Sequence, residues 1–299
     1  MVCMEKVSLT KNNQSYQGTL EVIKPLKEDI ENKIKNLKQI VIKINFVSAF
    51  TELATTPVET VRGFIDFIKP FYKGQIIIAE EATVGQTEEG FKKFGFEKLA
   101  KENSQVKLFN SSQSKSQKVK ITFPQGEITL PLAIIYTQSP FVASITRAKT
   151  HNTVVVTLSI KNLLVGAIQN GLFSNRGKIH QGKYIHQILT KIAKYTYPQL
   201  SIIDGVIGME GDGPTNGQPI KAGWLVASLD ALLADSLATY LMGFKIEDIG
   251  YFNLLEKENQ GLLFPHNQDQ VEIFGPNPKE LITPFKPHQT FAEQRQWKI

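Results

Sequence analysis

Short apolar runs recur along this chain with helical stripes between them, and that alternation restricts the fold more than any other feature. Gln39-Ile-Val-Ile-Lys-Ile-Asn-Phe46, Gln75-Ile-Ile-Ile-Ala-Glu-Glu81, residues 106–109, residues 142–146, Leu200-Ser-Ile-Ile-Asp204, Trp224-Leu-Val-Ala-Ser228 and residues 271–274 read as strands. Leu20, Ile23, Leu26, Ile30, Ile34 and Leu37 recur every three or four residues, which predicts one amphipathic helix over 18–37. Val58, Val61, Phe64, Ile65 and Ile68 repeat the pattern behind Thr55-Thr-Pro57. Further helices are expected over 91–102, 185–192, 231–242 and 246–260. Asp230 caps the helix over 231–242 and Gly243 ends it.

The expected class is α/β: a mainly parallel open sheet flanked by helices, Rossmann-like, with a small β-hairpin insertion around Pro124-Gln-Gly126. A chain of 299 residues can bury one sizeable core, so residues 1–299 are read as a single domain, with room for two lobes meeting near 111–141. Residues 153–168 fit either a strand or a helix. A helix starting at 153 would carry Lys161 and Asn162 about 12 Å from the sheet edge, at about 1.5 Å per residue. Residues 171–180 are expected to be a loop.

Ligands of open parallel sheets lie beyond the carboxyl ends of the strands. Lys43, Asn45, Glu80, Glu81, Lys149, His151 and Asp204 all fall at or just past such ends. Lys149 and His151, two apart, share a face if extended, which suits a general acid/base pair. Of Glu80 and Glu81, alternation allows only one to face the crevice. Arg176, Lys178 and His180 before a helix suit an anion.

The stretch Asp204–Gly217 concentrates five glycines and three carboxylates in fourteen residues. Glycine permits positive φ and close approach to a ligand, so Gly211 and Gly213 are expected to bind substrate through their N–H groups. Asp204, Glu210 and Asp212 are candidate ligands for a divalent metal, or candidates for an opposing base; oxygen ligands favour magnesium over structural zinc, and the histidines leave nickel, iron or catalytic zinc open.

Lys and Arg exceed Asp and Glu, 34 against 28, with a pI near 9.1, but no basic block or aromatic platform accompanies the excess. A small anionic molecule therefore fits better than nucleic acid. Cys3 is the only cysteine, which rules out an intrachain disulfide and an iron–sulfur cluster held by this chain's cysteines. The first residues lack a signal-peptide apolar core and no run reaches the ~20 apolar residues of a membrane span. A cytoplasmic setting is expected.

Lys43-Ile-Asn45, Ala148-Lys-Thr-His151, Ser159-Ile-Lys-Asn162, His180, the run from Ile202 to Pro214, Ala227-Ser-Leu-Asp230, Asp235 and Met242-Gly-Phe244 together resemble the domain of unknown function family 362, across nearly the whole chain. The family's usual lysine-proline-asparagine stands here as Lys43-Ile44-Asn45, and Thr146-Arg147-Ala148 replaces its proline-containing approach to the lysine-threonine-histidine unit. Many relatives add a cysteine-rich ferredoxin-like segment, which the resemblance links to redox chemistry and which is not found in this sequence.

Three functions remain open at this stage. The first is an enzyme for a small carboxylate or phosphorylated substrate, with Lys149, His151 and His180 catalytic and Lys43, Asn45, Arg176, Gly211 and Gly213 binding substrate. The second is a non-catalytic cofactor-binding or redox-accessory protein working with an iron–sulfur partner. The third is an RNA-binding protein. The roles of Lys161, Asn162, Asp230 and Asp235 are left undecided by the sequence.

Overall fold

The structure is a computed structural model and describes residues 4–124, 126–171, 174–180 and 184–297. Cys3 and Gln125 lie outside the described residues. The elements run β1 (Glu5–Lys11), α1 (Ser15–Ile23), α2 (Lys27–Ile34), β2 (Gln39–Lys43), α3 (Val58–Ile68), β3 (Gln75–Glu80), α4 (Thr87–Lys93), α5 (Phe96–Glu102) and β4 (Val106–Asn110). Then follow β5 (Ser116–Phe123), β6 (Gly126–Ala133), α6 (Ile134–Thr137), β7 (Val142–His151), β8 (Val155–Thr157), α7 (Ser159–Gly166), α8 (Asn175–His180) and α9 (Ile185–Ile192). The last are β9 (Leu200–Glu210), β10 (Gln218–Ile220), β11 (Trp224–Ser228), α10 (Ala231–Leu241), α11 (Gly250–Lys257), β12 (Val271–Phe274) and α12 (Phe291–Gln294).

One sheet carries the order β12-β1-β11-β9-β7-β2-β3-β4. Every strand of that path runs in one direction except β11, which is antiparallel to both β1 and β9. Apolar residues of successive strands point alternately to the two faces. Ile40, Ile42, Ile76, Ile78, Ala143 and Ile145 pack under α1, α2 and α3, while Ala148, Ile203, Trp224 and Val226 pack with α7, α9 and α10 on the other face. The β5–β6 hairpin buries Val119, Ile121, Leu130 and Leu132 in this second layer.

Two helices are shorter than their apolar stripes predict. The stripe over 18–37 is broken by a short 3-10 turn at Lys24-Pro25-Leu26, since proline has no N–H to donate to the preceding turn. The stripe over 91–102 splits into α4 and α5 at Gly95, whose φ of 85° takes the backbone into the left-handed region. Residues 153–168 hold both alternatives, β8 and then α7. Residues 175–180, expected to be loop, form α8. Asp230 caps α10 as expected, its Oδ1 accepting from Leu233 N at 3.0 Å.

The largest departure is at the glycine-rich stretch. β9 continues through Glu210, and its glycines serve packing: the Trp224 ring lies against Gly205 and Phe285 against Gly208, where any side chain would collide. Among the described residues no helix is long and apolar enough to cross a membrane.

Candidate functional site

The chain runs β2, β3, β4 outward in one direction, then returns to place β7 on the other side of β2. A crevice opens at the carboxyl ends where the order reverses, the usual ligand position in open sheets. There a cleft of about 290 Å³ is lined by Lys43, Asn45, Glu80, Glu81, His151, Lys161, Asn162, Arg176 and His180 among others. A larger cavity of about 780 Å³ surrounds Arg147, Tyr16, Phe94 and Ile207. Arg147 there is tied to protein carbonyls, its Nε donating to Thr55 O at 3.1 Å and its Nη1 to Ile207 O at 2.5 Å. Titratable side chains in mutual contact concentrate in the smaller cleft, which identifies it as the candidate site.

The floor is a buried polar network. Lys43 Nζ donates to Glu80 Oε2 at 2.8 Å, to Ile44 O at 2.6 Å and to Asn162 Oδ1 at 3.2 Å, and Lys43 is only 1% exposed. Glu80 is held in turn by Phe46 N at 2.9 Å and Glu81 N at 2.8 Å. Asn45 donates to Asn162 Oδ1 at 3.1 Å and accepts from Lys149 Nζ, which also donates to Ala54 O at 3.0 Å. Burial and the neighbouring Arg147 push the Lys149 amine well below its ordinary range. Gly166 lets Lys43 pass beneath α7, because a Cβ at 166 would stand 2.7 Å from Lys43 Nζ.

The wall is a cluster of two imidazoles and an amine. Lys161 Nζ lies 2.9 Å from His151 Nε2 and 3.4 Å from His180 Nε2, and the two rings stack with centroids 5.6 Å apart. His151 Nδ1 accepts from Thr153 N at 3.0 Å, and His180 Nδ1 lies 2.7 Å from Arg176 O. Burial, reinforced by Arg176, lowers Lys161 to about 7, and burial with Lys161 beside it lowers His180 to about 4. The same two causes take His151 well below its ordinary value. Among the described residues Lys161 has hydrogen-bond partners only in these imidazoles.

α7 is aimed by a carboxylate from another helix. Asp235 of α10 accepts from Ser159 N at 3.0 Å, Ser159 Oγ at 2.5 Å and Ile160 N at 2.9 Å, capping the turn that carries Lys161 and Asn162. Burial raises its carboxyl to about 7 against these donors. Asp235→Ala is expected to destabilise the fold by about 2–3 kcal/mol, because it leaves buried donors and a helix N-terminus without acceptors. Urea unfolding checks this, and a loss under about 0.5 kcal/mol, the level of an ordinary surface substitution, would contradict it.

The residues expected from sequence divide sharply. Lys43, Asn45, Arg176, His151 and His180 line the cleft, and Lys149 lies behind Asn45. Both Glu80 and Glu81 reach it, because β3 ends at Glu80 and strand alternation no longer applies to its neighbour. Arg176 contributes structure: its guanidinium donates to Glu81 Oε2 and Glu81 O, both at 2.8 Å, to Ile168 O at 2.8 Å and to Gly166 O at 3.2 Å.

The glycine-rich stretch reaches the cleft only through Pro214 and Thr215. Gly211 N donates to Lys286 O at 2.7 Å and Gly213 N to Gly211 O at 2.8 Å, so the expected substrate-binding amides are already bonded. The metal set does not assemble either. Asp204 is fully buried, bound by Thr60 Oγ1 at 2.5 Å and Val206 N at 2.9 Å. Glu210 accepts from Lys286 N at 2.7 Å, Asp212 is exposed, and among the described residues no three of His, Cys, Asp and Glu converge in a metal-holding group.

Lys161 is the functional candidate that sequence reasoning left undecided. Its signal was present in Ser159-Ile-Lys-Asn162, but it depended on where α7 starts: from 159, not 153, both polar residues fall in the first turn, at the sheet edge.

The family model described as Domain of unknown function (DUF362) matches residues 40–240. Over 146 residues the chain is 28% identical to a thylakoid-associated protein of Synechocystis sp., an alignment covering 47% of this chain and 43% of that protein. Among solved structures, the lactate racemase apoprotein of Thermoanaerobacterium thermosaccharolyticum superposes with a TM-score of 0.50 at 14% identity, covering 78% of this chain and 56% of that one. At that identity the likeness is one of fold. A protein from Thermotoga maritima aligns with a TM-score of 0.35 at 11% identity, covering 67% of this chain and 53% of that one, too weakly to bear on the fold. The chain spans about half the length of the proteins it matches. With the family model covering more than half of its residues, and with the fold and motif order the resemblance implies, the chain belongs to the DUF362 family.

Proposed function

We propose that the chain is an enzyme that moves a proton on a small anionic substrate, at a carbon next to a carboxylate or carbonyl. The observation that carries this reading is the amine of Lys161 held between two imidazole nitrogens at 2.9 and 3.4 Å in a cleft wall. Acid–base groups work best when their pKa lies near the working pH, and burial brings Lys161 to about 7. Lys43 and Arg176 are ion-paired with Glu80 and Glu81, which makes them part of the cleft's framework and leaves the acid–base chemistry to Lys161 and the imidazoles.

The volume of about 290 Å³ suits a molecule of a few carbons. The lactate racemase sharing the fold acts, by its name, on lactate, which makes 2-hydroxy carboxylates the first compounds to try. Lys149 and Asn45 position the edge of β2, and no step is assigned to a metal because the expected carboxylates face separate partners.

The test is to incubate the protein in deuterated water with lactate and a set of other 2-hydroxy and 2-oxo carboxylates and follow the α-proton signal. Signal loss is expected for at least one compound. Its rate should rise as pH passes about 7, where Lys161 becomes neutral, and then level off. Retention of every α-proton, with no ligand-induced rise in Tm, would contradict the reading.

A further inference from the structure

We propose that Lys161 forms a covalent imine with the carbonyl carbon of a small aldehyde or 2-oxo acid bound in the cleft, with the flanking imidazoles carrying the protons. This rests on reading the cleft as a reaction centre and adds to it a substrate class and a bond.

The argument starts from hydrogen-bond direction. Thr153 N is a donor and lies 3.0 Å from His151 Nδ1, so that nitrogen is bare and the proton of the neutral ring sits on Nε2. Nε2–H faces Lys161 Nζ at 2.9 Å, and only a lone pair can receive it. An ammonium has none. On the other side, Arg176 O can only accept, so His180 carries its proton on Nδ1, 2.7 Å away, and presents a bare Nε2 to Lys161 at 3.4 Å. The chain of donors therefore runs from His151 through Lys161 to His180, and it closes only if Lys161 is a neutral amine.

The surroundings act the same way. Burial and the Arg176 guanidinium both disfavour a positive charge on the amine. A neutral amine in a cleft wall, with a proton donor on one side and an acceptor on the other, has what condensation with a carbonyl needs.

The balance is simple. The nitrogen lone pair attacks the carbonyl carbon, the C–N bond forms, and the carbonyl π pair moves to oxygen. One N–H proton passes to that oxygen through the imidazoles, giving a carbinolamine. The hydroxyl then departs as water with a second proton from a ring, and the remaining N–H proton returns to that ring. Amine and carbonyl become imine and one water, with both rings unchanged and no oxidant or reductant.

The experiment uses the whole chain with pyruvate or glyoxylate and sodium cyanoborohydride, which reduces an imine to a stable secondary amine. Adducts are located by peptide mass spectrometry, across a pH series, in the wild type and in Lys161→Arg. Lys98, 79% exposed at its side chain, serves as the internal control. At about pH 7.5, labelling of Lys161 is expected to exceed that of Lys98 by about ten-fold or more, since an ordinary lysine near 10.4 is almost wholly ammonium there. The Lys161 adduct disappears in Lys161→Arg.

Labelling spread over exposed lysines with Lys161 unmodified overturns the proposal. So does a Lys161 adduct that grows in only with the pH profile of Lys98. Exchange of pyruvate's methyl protons, which lie next to its carbonyl, is measured in deuterated water in parallel samples without the reductant. Exchange without a Lys161 adduct removes the covalent step and leaves the acid–base reading standing; absence of both removes the covalent step, and the acid–base reading falls with it when the wider set of 2-hydroxy and 2-oxo carboxylates also keeps every α-proton with no rise in Tm.

Discussion

His151→Asn and Lys161→Met are each expected to lower α-proton exchange about a hundred- to ten-thousand-fold, the range associated with loss of a positioned acid–base group. The two substitutions act on one hydrogen-bond chain, so the double variant should be little worse than the worse single one, as happens when groups work as a unit. Additive losses would show that the amine and the imidazole act separately. Stability gives an independent signature. Lys161 titrates at about 7 when folded against an ordinary lysine value of 10.5, so the folded state binds fewer protons between those values. Its contribution to stability therefore rises with pH across that window and is lost below it. Lys161→Met removes this dependence: the Tm of the variant relative to wild type should be highest below about pH 7 and fall as pH approaches 10.5.

Glu80→Ala is expected to destabilise the protein by about 3–5 kcal/mol, the loss typical of leaving one partner of a buried pair uncompensated. Lys43 and Glu80 have side chains only 1% and 3% exposed, and removal of the carboxylate also orphans the N–H groups of Phe46 and Glu81. Replacing both partners, as in Lys43→Met with Glu80→Leu, should recover the part of the loss that comes from the unpaired Lys43 charge, while the Phe46 and Glu81 N–H groups stay without their acceptor. Urea unfolding of the single and double variants decides this through the midpoint at constant slope. A single-variant loss under about 1 kcal/mol would contradict the account, since that is what an exposed ion pair contributes.

The same network explains how far the sequence could be read. Most strands follow from local patterns of apolar residues, although β1 and the sheet order do not; Lys43, Asn45 and His151 were legible because strand ends in a parallel sheet meet at one edge, and His180 because it stands with Arg176 before a helix. Two features were hidden for physical reasons. Glycine marks both ligand loops and close packing, and in β9 the Trp224 and Phe285 rings, distant in sequence from the glycines they cover or separated by a turn, decide for packing. The place of Lys161 depended on a helix start set by Asp235, 76 residues from Ser159, which no local pattern reveals. Arg176 looked like an anion clamp because its guanidinium partners are mostly carbonyls, which residue types do not encode.

The central claim is that Lys161 stands as a neutral amine between His151 and His180. Nitrogen-15 NMR of lysine-labelled protein, with the Lys161 signal assigned by its loss in Lys161→Arg, measures its titration directly. The account predicts a midpoint near 7, well below the ordinary lysine value of about 10.4. A Lys161 midpoint at the ordinary lysine value of about 10.4 would contradict it.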